Sequence, residues 1–191
     1  MESLLSHVDL DSHREVITDF YLNMFTNSEV FDRQEIIASL VTCVGSRISH
    51  QTDAGLSVLL QLTLKYGQSV DYFVVFIKTI LDCLDGLTVN HIRILYEILS
   101  IIAIKPWITD VHNAEESSEF SELHMLVRKQ LGNPDIRFQH FGIIGAVSLM
   151  VQLSPKDRGS AEGQERSECL FNTMIDACTK SGVISNSSRL P

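Results

Sequence analysis

The sequence predicts an all-α fold of stacked antiparallel helical pairs, in the manner of a HEAT- or armadillo-like α-solenoid segment. Three observations point there. Apolar residues recur at spacings of three and four along most of the 191 residues, and no stretch shows the strict alternation of a half-buried strand. Two of the expected helices are apolar on nearly every side, which suits inner helices of a stack, covered on both faces. Ile92-Arg93 returns as Ile136-Arg137 at a separation inside the period of roughly 40–47 residues typical of HEAT and armadillo repeats.

Helices are expected at about 11–25, 33–48, 53–66, 70–85, 89–104, 119–131, 134–152 and 165–181. Asp32 ahead of Arg33-Gln34-Glu35 reads as a capping box opening the second helix, with Glu35 reaching back. Gly67 and Gly86 stand where the third and fourth helices would stop in a left-handed conformation. Along the fourth, Asp71, Lys78, Asp82 and Asp85 form one narrow wet stripe, while Tyr72, Phe73, Val75, Phe76, Ile80 and Leu84 cover the remainder. The fifth, "VNHIRILYEILSIIAI", is the second helix with too much apolar surface for one neighbour.

The stretch "KPWITDVHNAEESSEFSE" (105–122) carries Asp110, Glu115, Glu116, Glu119 and Glu122 with no base after Lys105, and reads as an acidic loop entering the sixth helix. There, Phe120, Leu123, Val127 and Leu131 share one side at 100° per residue, which leaves Met125 and Lys129 on the other. Asn133 then reads as an N-cap, with Pro134 at the first helical position, where its missing N–H is harmless. In the seventh helix Gly142, Gly145 and Ala146 make a bare face. Helix-interior glycines are each about 1 kcal/mol worse than alanine, so close approach of a neighbour is the expected compensation. The polar, Gly- and Ser-containing run "SPKDRGSAEGQERSE" reads as flexible. The expected organisation is a helical-repeat segment over 1–152, a linker over 153–164, and a C-terminal helix with a disordered tail over 165–191.

Composition narrows the function classes. Apolar runs such as "YFVVFI" are cut short by charges, well below the roughly 20 residues that cross a bilayer. The polar start, with His7, Asp9, Asp11 and His13, lacks the basic and apolar regions of a secretory signal, so an intracellular protein is expected. Cys43, Cys83, Cys169 and Cys178 lie far apart on apolar helix faces and read as small buried hydrophobes in a reducing compartment. A net charge of -9 argues against a dominant nucleic-acid surface on this segment alone. No phosphate loop, nucleophile elbow, zinc-helix motif or dinucleotide fingerprint occurs, so no catalytic residue, cofactor or metal is expected. The His7/His13 cluster reads as solvated polar residues.

From periodicity alone, Lys129 is an ordinary solvated lysine beside a surface methionine. The stretch around it nonetheless resembles the ubiquitin-acceptor region of the Fanconi anaemia group D2 family, through "LHMLVRKQL" followed by "FGIIGAV". Co-linear similarity runs upstream through "RQEIIASLVTCVGS", "AGLSVLLQL", "VVFIKTILDCLDGL" and "HIRILYEILSIIAI", covering about residues 33–151. The resemblance implies a nuclear, non-enzymatic DNA-repair scaffold in which Lys129 receives ubiquitin from a conjugating enzyme held by the Fanconi core ligase. It further implies a group I-like partner, which would meet Met125 and Arg128, and DNA bound through the full-length complex in crosslink repair and recombination. Family members are several times longer, so a fragment or truncated product is expected. The alternative is a generic HEAT-like interaction adaptor with no modified lysine.

Overall fold

The computed structural model describes residues 11–109 and 118–153, together with positions 168, 172, 175, 176 and 179. The described elements are all helical. They are α1 (Asp11–Asn27), α2 (Val30–Gly45), α3 (Ser49–Val70), a 3-10 turn (Asp71–Phe73), α4 (Val74–Lys78), a 3-10 segment (Thr79–Gly86), α5 (Val89–Thr109), α6 (Ser118–Leu131) and α7 (Ile136–Leu153). The all-α class and the packing of consecutive helices in antiparallel pairs are therefore as the sequence predicts. The chain divides into two compact units, Met1–Ile98 and Leu99–Pro191, with the division inside α5.

In the first unit α2 and α3 form a hairpin. Gly55 of α3 faces α2 so closely that an added Cβ would stand 3.0 Å from Val44 Cγ2 and 3.2 Å from the Leu40 carbonyl oxygen. Thr52 Oγ1 donates to the Val44 carbonyl at 3.2 Å, which satisfies a buried hydroxyl across the same seam. Helix α1 packs chiefly on α3, and α4 with the second 3-10 segment packs on α2. The core of this unit includes Tyr21, Phe25, Ile36, Ile37, Leu40 and Leu59, none more than 1% exposed.

Arg33 has a task that the sequence pattern does not assign to it. Helix α2 opens at Val30 behind Glu29, whose side chain makes no capping bond, and Asp32 lies inside the first turn. The capping box is thus absent, because the first helical bond already runs from Arg33 N to the Glu29 carbonyl. The Arg33 side chain instead caps α1, with Nε donating to the Phe25 carbonyl at 2.9 Å and Nη2 to the Thr26 carbonyl at 3.2 Å. Those are orphan carbonyls at a helix C-terminus, and a guanidinium fork supplies what the missing next turn cannot. The guanidinium carbon lies 5.3 Å from the Phe25 ring centre.

The fourth expected helix is not one α-helix. Helix α3 runs past Gly67 to Val70 through a kink at Tyr66 (φ -128, ψ 34), after which the chain alternates between 3-10 and α geometry up to Gly86. A 3-10 turn has three residues rather than 3.6, so faces assigned at 100° per residue drift. Tyr72 and Val75 accordingly become exposed, at 82% and 69%, while Asp71 and Lys78 are half-buried. Gly86 does close the segment, without a left-handed φ. The left-handed position among described non-glycine residues is Arg47 (φ 62), in the α2–α3 turn. Its stem lies over Gly86, where an added Cβ would meet Arg47 Nε at 3.4 Å and Cγ at 3.5 Å.

Helix α5 opens with a reciprocal cap that the sequence reading missed. Thr88 Oγ1 accepts from the His91 amide at 3.3 Å, and His91 Nδ1 accepts from the Thr88 amide at 3.3 Å. This is capping-box logic with an imidazole where glutamate is usual. Because Nδ1 accepts, the ring proton sits on Nε2, which donates to Asp53 Oδ1 of α3 at 2.9 Å. One ring therefore caps α5 and ties it to α3. Ile92, Leu95, Tyr96, Ile98, Leu99, Ile102 and Ile104 are all buried, as expected of an inner helix. The helix also continues through Pro106 to Thr109, so residues 105–109 of the expected acidic loop are helical instead, since proline removes only one amide from the ladder near a helix end, and 110–117 lie outside the described residues. Of the linker expected at 153–164 only Leu153 is described, and the helix expected at 165–181 lies outside the described residues except at five positions.

Candidate functional site

Helix α6 carries the candidate residue. Glu119 sits in its first turn and Arg128 with Lys129 in its last, the arrangement that complements the helix dipole by about 0.3–1 kcal/mol per charge. Phe120, Leu123, Val127 and Leu131 are buried, at most 6% exposed, and α6 packs tightly on α7. The Phe120 ring stacks on His124 with centroids 5.8 Å apart. Arg128 and Lys129 are exposed, and Met125, one turn earlier, is 69% exposed. The orientation of the helix is thus the one its apolar spacing predicts. Gln130, only 5% exposed between Lys129 and Leu131, is the buried polar residue that spacing did not single out.

The end of α6 is held from two directions. Within the connection, Gly132 N donates to the Arg128 carbonyl and Asn133 N to the Gln130 carbonyl, both at 3.1 Å. Asn133 is not the cap of α7. Its Oδ1 accepts from Asp135 N at 2.9 Å, and Asp135 Oδ1 accepts from Arg137 N at 2.9 Å, so Asp135 caps a helix that starts at Ile136. The cap moves because an Asx turn absorbs Pro134 ahead of the helix. Gln139 Nε2 also donates to the Asn133 carbonyl at 2.8 Å. From the side, Gly142 of α7 touches the α6 backbone: an added Cβ would stand 2.7 Å from Leu131 N and 3.1 Å from the Gln130 carbonyl carbon. The close approach expected of this glycine face is therefore present, and α6 is the neighbour.

Hydrogen bonds from the Arg137 side chain and amide hold the Asp135 carboxyl below its ordinary pKa. A depressed carboxylate stabilises the fold above its unfolded pKa and loses that contribution as pH falls through the folded value. Titration of the Asp135 carboxyl by NMR is expected to show a midpoint below the usual aspartate value, returning toward it in Arg137→Gln. An unshifted wild-type midpoint would refute the pairing.

Elsewhere the described residues offer fewer leads. Among them no three His, Cys, Asp or Glu side chains are arranged to hold a metal ion. Cys43 is buried and Cys83 half-buried, while Cys169, Cys178, His7 and His13 lie outside the described residues. Helix α7 is long and apolar enough, by length and composition only, to cross a membrane, but its Gly142, Gly145, Ala146, Leu149 and Leu153 are buried. A cleft of about 300 Å³ in the first unit is bordered by Arg14, Asp19, Gln61 and Lys65, so its lining carries charges of both signs.

These elements define an all-helical segment of the helical-repeat class that presents a lysine at the end of a tightly seated helix. The family model described as "Fanconi anaemia protein FancD2 nuclease" matches residues 4–180, and the chain belongs to that family. The match extends well beyond the 33–151 span over which the sequence itself shows the resemblance. The chain is 32% identical over 143 residues to the Fanconi anemia group D2 protein of Gallus gallus, covering 75% of this chain and 10% of that protein. It is 32% identical over 121 residues to the group D2 homolog of Rattus norvegicus, covering 63% and 8%. For the Mus musculus homolog the identity is 30% over 129 residues, covering 68% and 9%. The chain thus spans about a tenth of the length of the curated relatives it matches.

Proposed function

We propose that this chain is a non-enzymatic segment of a Fanconi-pathway DNA-repair scaffold and that Lys129 is its ubiquitin acceptor. The observation that carries the reading is the exposed amine of Lys129, at the last turn of a helix whose opposite face is buried on α7, in a chain of the group D2 family. A conjugating enzyme charged with ubiquitin, held by the Fanconi core ligase, brings a thioester to this amine. The amine nitrogen attacks the thioester carbonyl carbon, a C–N isopeptide bond forms, the C–S bond breaks, and the conjugating enzyme leaves as thiolate while the amine proton passes to a base on that enzyme. The segment supplies placement, because an amine fixed on a rigid helix meets the thioester without a conformational search.

In this reading the exposed Met125 and Arg128 meet a group I-like partner. The whole protein, in the nucleus, engages DNA in interstrand crosslink repair and recombination. DNA contacts fall largely outside this segment, in keeping with its charge of -9. The word nuclease in the family description belongs to that family, and we assign no catalytic step to the described residues. A second reading has its own support: Arg128 and Lys129 already serve α6 as charges at its C-terminus, which is all that a generic HEAT-like adaptor without a modified lysine would need.

Reconstitution with the core ligase, the group I partner and DNA, followed by mapping of the diglycine remnant, separates the two. One ubiquitin on Lys129, lost in Lys129→Arg, is the expected outcome; modification that persists unchanged in that variant overturns the assignment. DNA cleavage by the purified chain, abolished by substitution of its own acidic residues, would overturn the non-enzymatic part.

A further inference from the structure

We propose that Gly142 is a positioning residue for ubiquitin transfer to Lys129; the proposal rests on the reading of Lys129 as acceptor. Gly142 does not touch the reacting atoms. It touches the two residues that follow Lys129 in the chain. A Cβ at position 142 would stand 2.7 Å from Leu131 N, 3.0 Å from Leu131 Cγ and 3.1 Å from the Gln130 carbonyl carbon.

Two of those three atoms are backbone, and backbone cannot rotate aside as a side-chain tip does. The last turn of α6 is therefore seated directly on α7, with no side chain between them at this point. The connection is equally fixed, through the Gly132 and Asn133 amide bonds and the Asp135 cap. A methyl group at 142 forces the turn outward until 2.7 Å becomes an ordinary contact of 3.4 Å or more, and Lys129 Cα moves with it. The amine stays exposed throughout, so exposure and placement become separable properties of one residue.

Enzymatic transfer and simple acylation read these properties separately. A small N-hydroxysuccinimide ester needs only an exposed amine, whereas thioester attack needs the nitrogen near van der Waals contact with the carbonyl carbon. In the full chain, Gly142→Ala is expected to leave the rate of Lys129 acylation by sulfo-NHS-acetate unchanged. In the reconstituted reaction, misplacement of about 1 Å is expected to lower kcat by roughly ten- to a hundredfold, with KM little altered. An unchanged kcat overturns the positioning role alone, whereas modification persisting in Lys129→Arg overturns the acceptor reading beneath it.

Gly142→Ala also strains the α6–α7 seam, so a surface variant asks the same question without touching the packing. Glu122→Lys combined with Lys129→Arg moves the amine two turns back along the same exposed face, away from the Gly142 seat and from Met125 and Arg128. It is expected to be acylated by sulfo-NHS-acetate as fast as wild type and ubiquitinated at least about tenfold more slowly. Equal ubiquitination of the two proteins would show that exposure suffices and would overturn the proposal.

Discussion

Replacing Phe120 with alanine is expected to destabilise the protein by about 3–5 kcal/mol, read as a lowered urea midpoint with an unchanged slope. The ring is 1% exposed and stacks on His124, and it anchors the first turn of α6. Helix α6 has 14 residues, and isolated helices shorter than about 12–15 residues are marginal in water even with good helix formers. Its order therefore comes from the apolar face that Phe120 begins and Leu131 ends. The same variant is expected to speed amide exchange along α6, so the lysine would stay exposed on a helix that no longer holds still. A cost under about 1 kcal/mol would mean that α6 is held by something other than this face.

Phe25→Ala is expected to cost a similar 3–5 kcal/mol or so, for a different reason. Phe25 is 1% exposed where three parts of the first unit converge. Its ring meets Tyr66 at the α3 kink, with centroids 6.3 Å apart, and Phe73 in the following 3-10 turn, 6.5 Å away and edge-on. Its carbonyl accepts from Arg33, and its ring lies under the same guanidinium. Truncation thus removes the aromatic contacts and the platform beneath a capping arginine at once. A double-mutant cycle of Phe25→Ala with Arg33→Ala is expected to be non-additive by about 0.5–3 kcal/mol. Strict additivity would show that the arginine caps α1 without leaning on the ring.

The sequence exposes some of these features and hides others for identifiable physical reasons. The buried face of α6 and the close approach at Gly142 are legible because both follow from unbroken 3.6-residue periodicity. The 71–86 stretch misleads because composition does not distinguish a 3-10 turn from an α turn, and the change of period moves Tyr72 and Val75 to the outside. Caps are misplaced by three residues at α2 and by two at α7. Near a helix start several Asx and acidic residues compete for the same amides, and tertiary bonds such as those of Arg33 decide between them. His91 escapes a search for Glu or Gln at the third helical position, although its Nδ1 accepts just as they do. The acceptor role of Lys129 is of another kind: geometry makes its amine available, and only the family resemblance says what would use it.

Arg47 carries one more implication. A residue with a Cβ in the left-handed region is strained where glycine would be relaxed, by about 1–2 kcal/mol. Yet its stem occupies the space left open by Gly86, thirty-nine positions further along the chain. The two positions are therefore linked like a peg and its socket. Arg47→Gly relieves the backbone but empties the socket, and Gly86→Ala narrows the socket while the peg remains, so neither substitution can be judged without the other. Anyone grafting the α2–α3 turn into another helical scaffold would have to transplant the glycine as well.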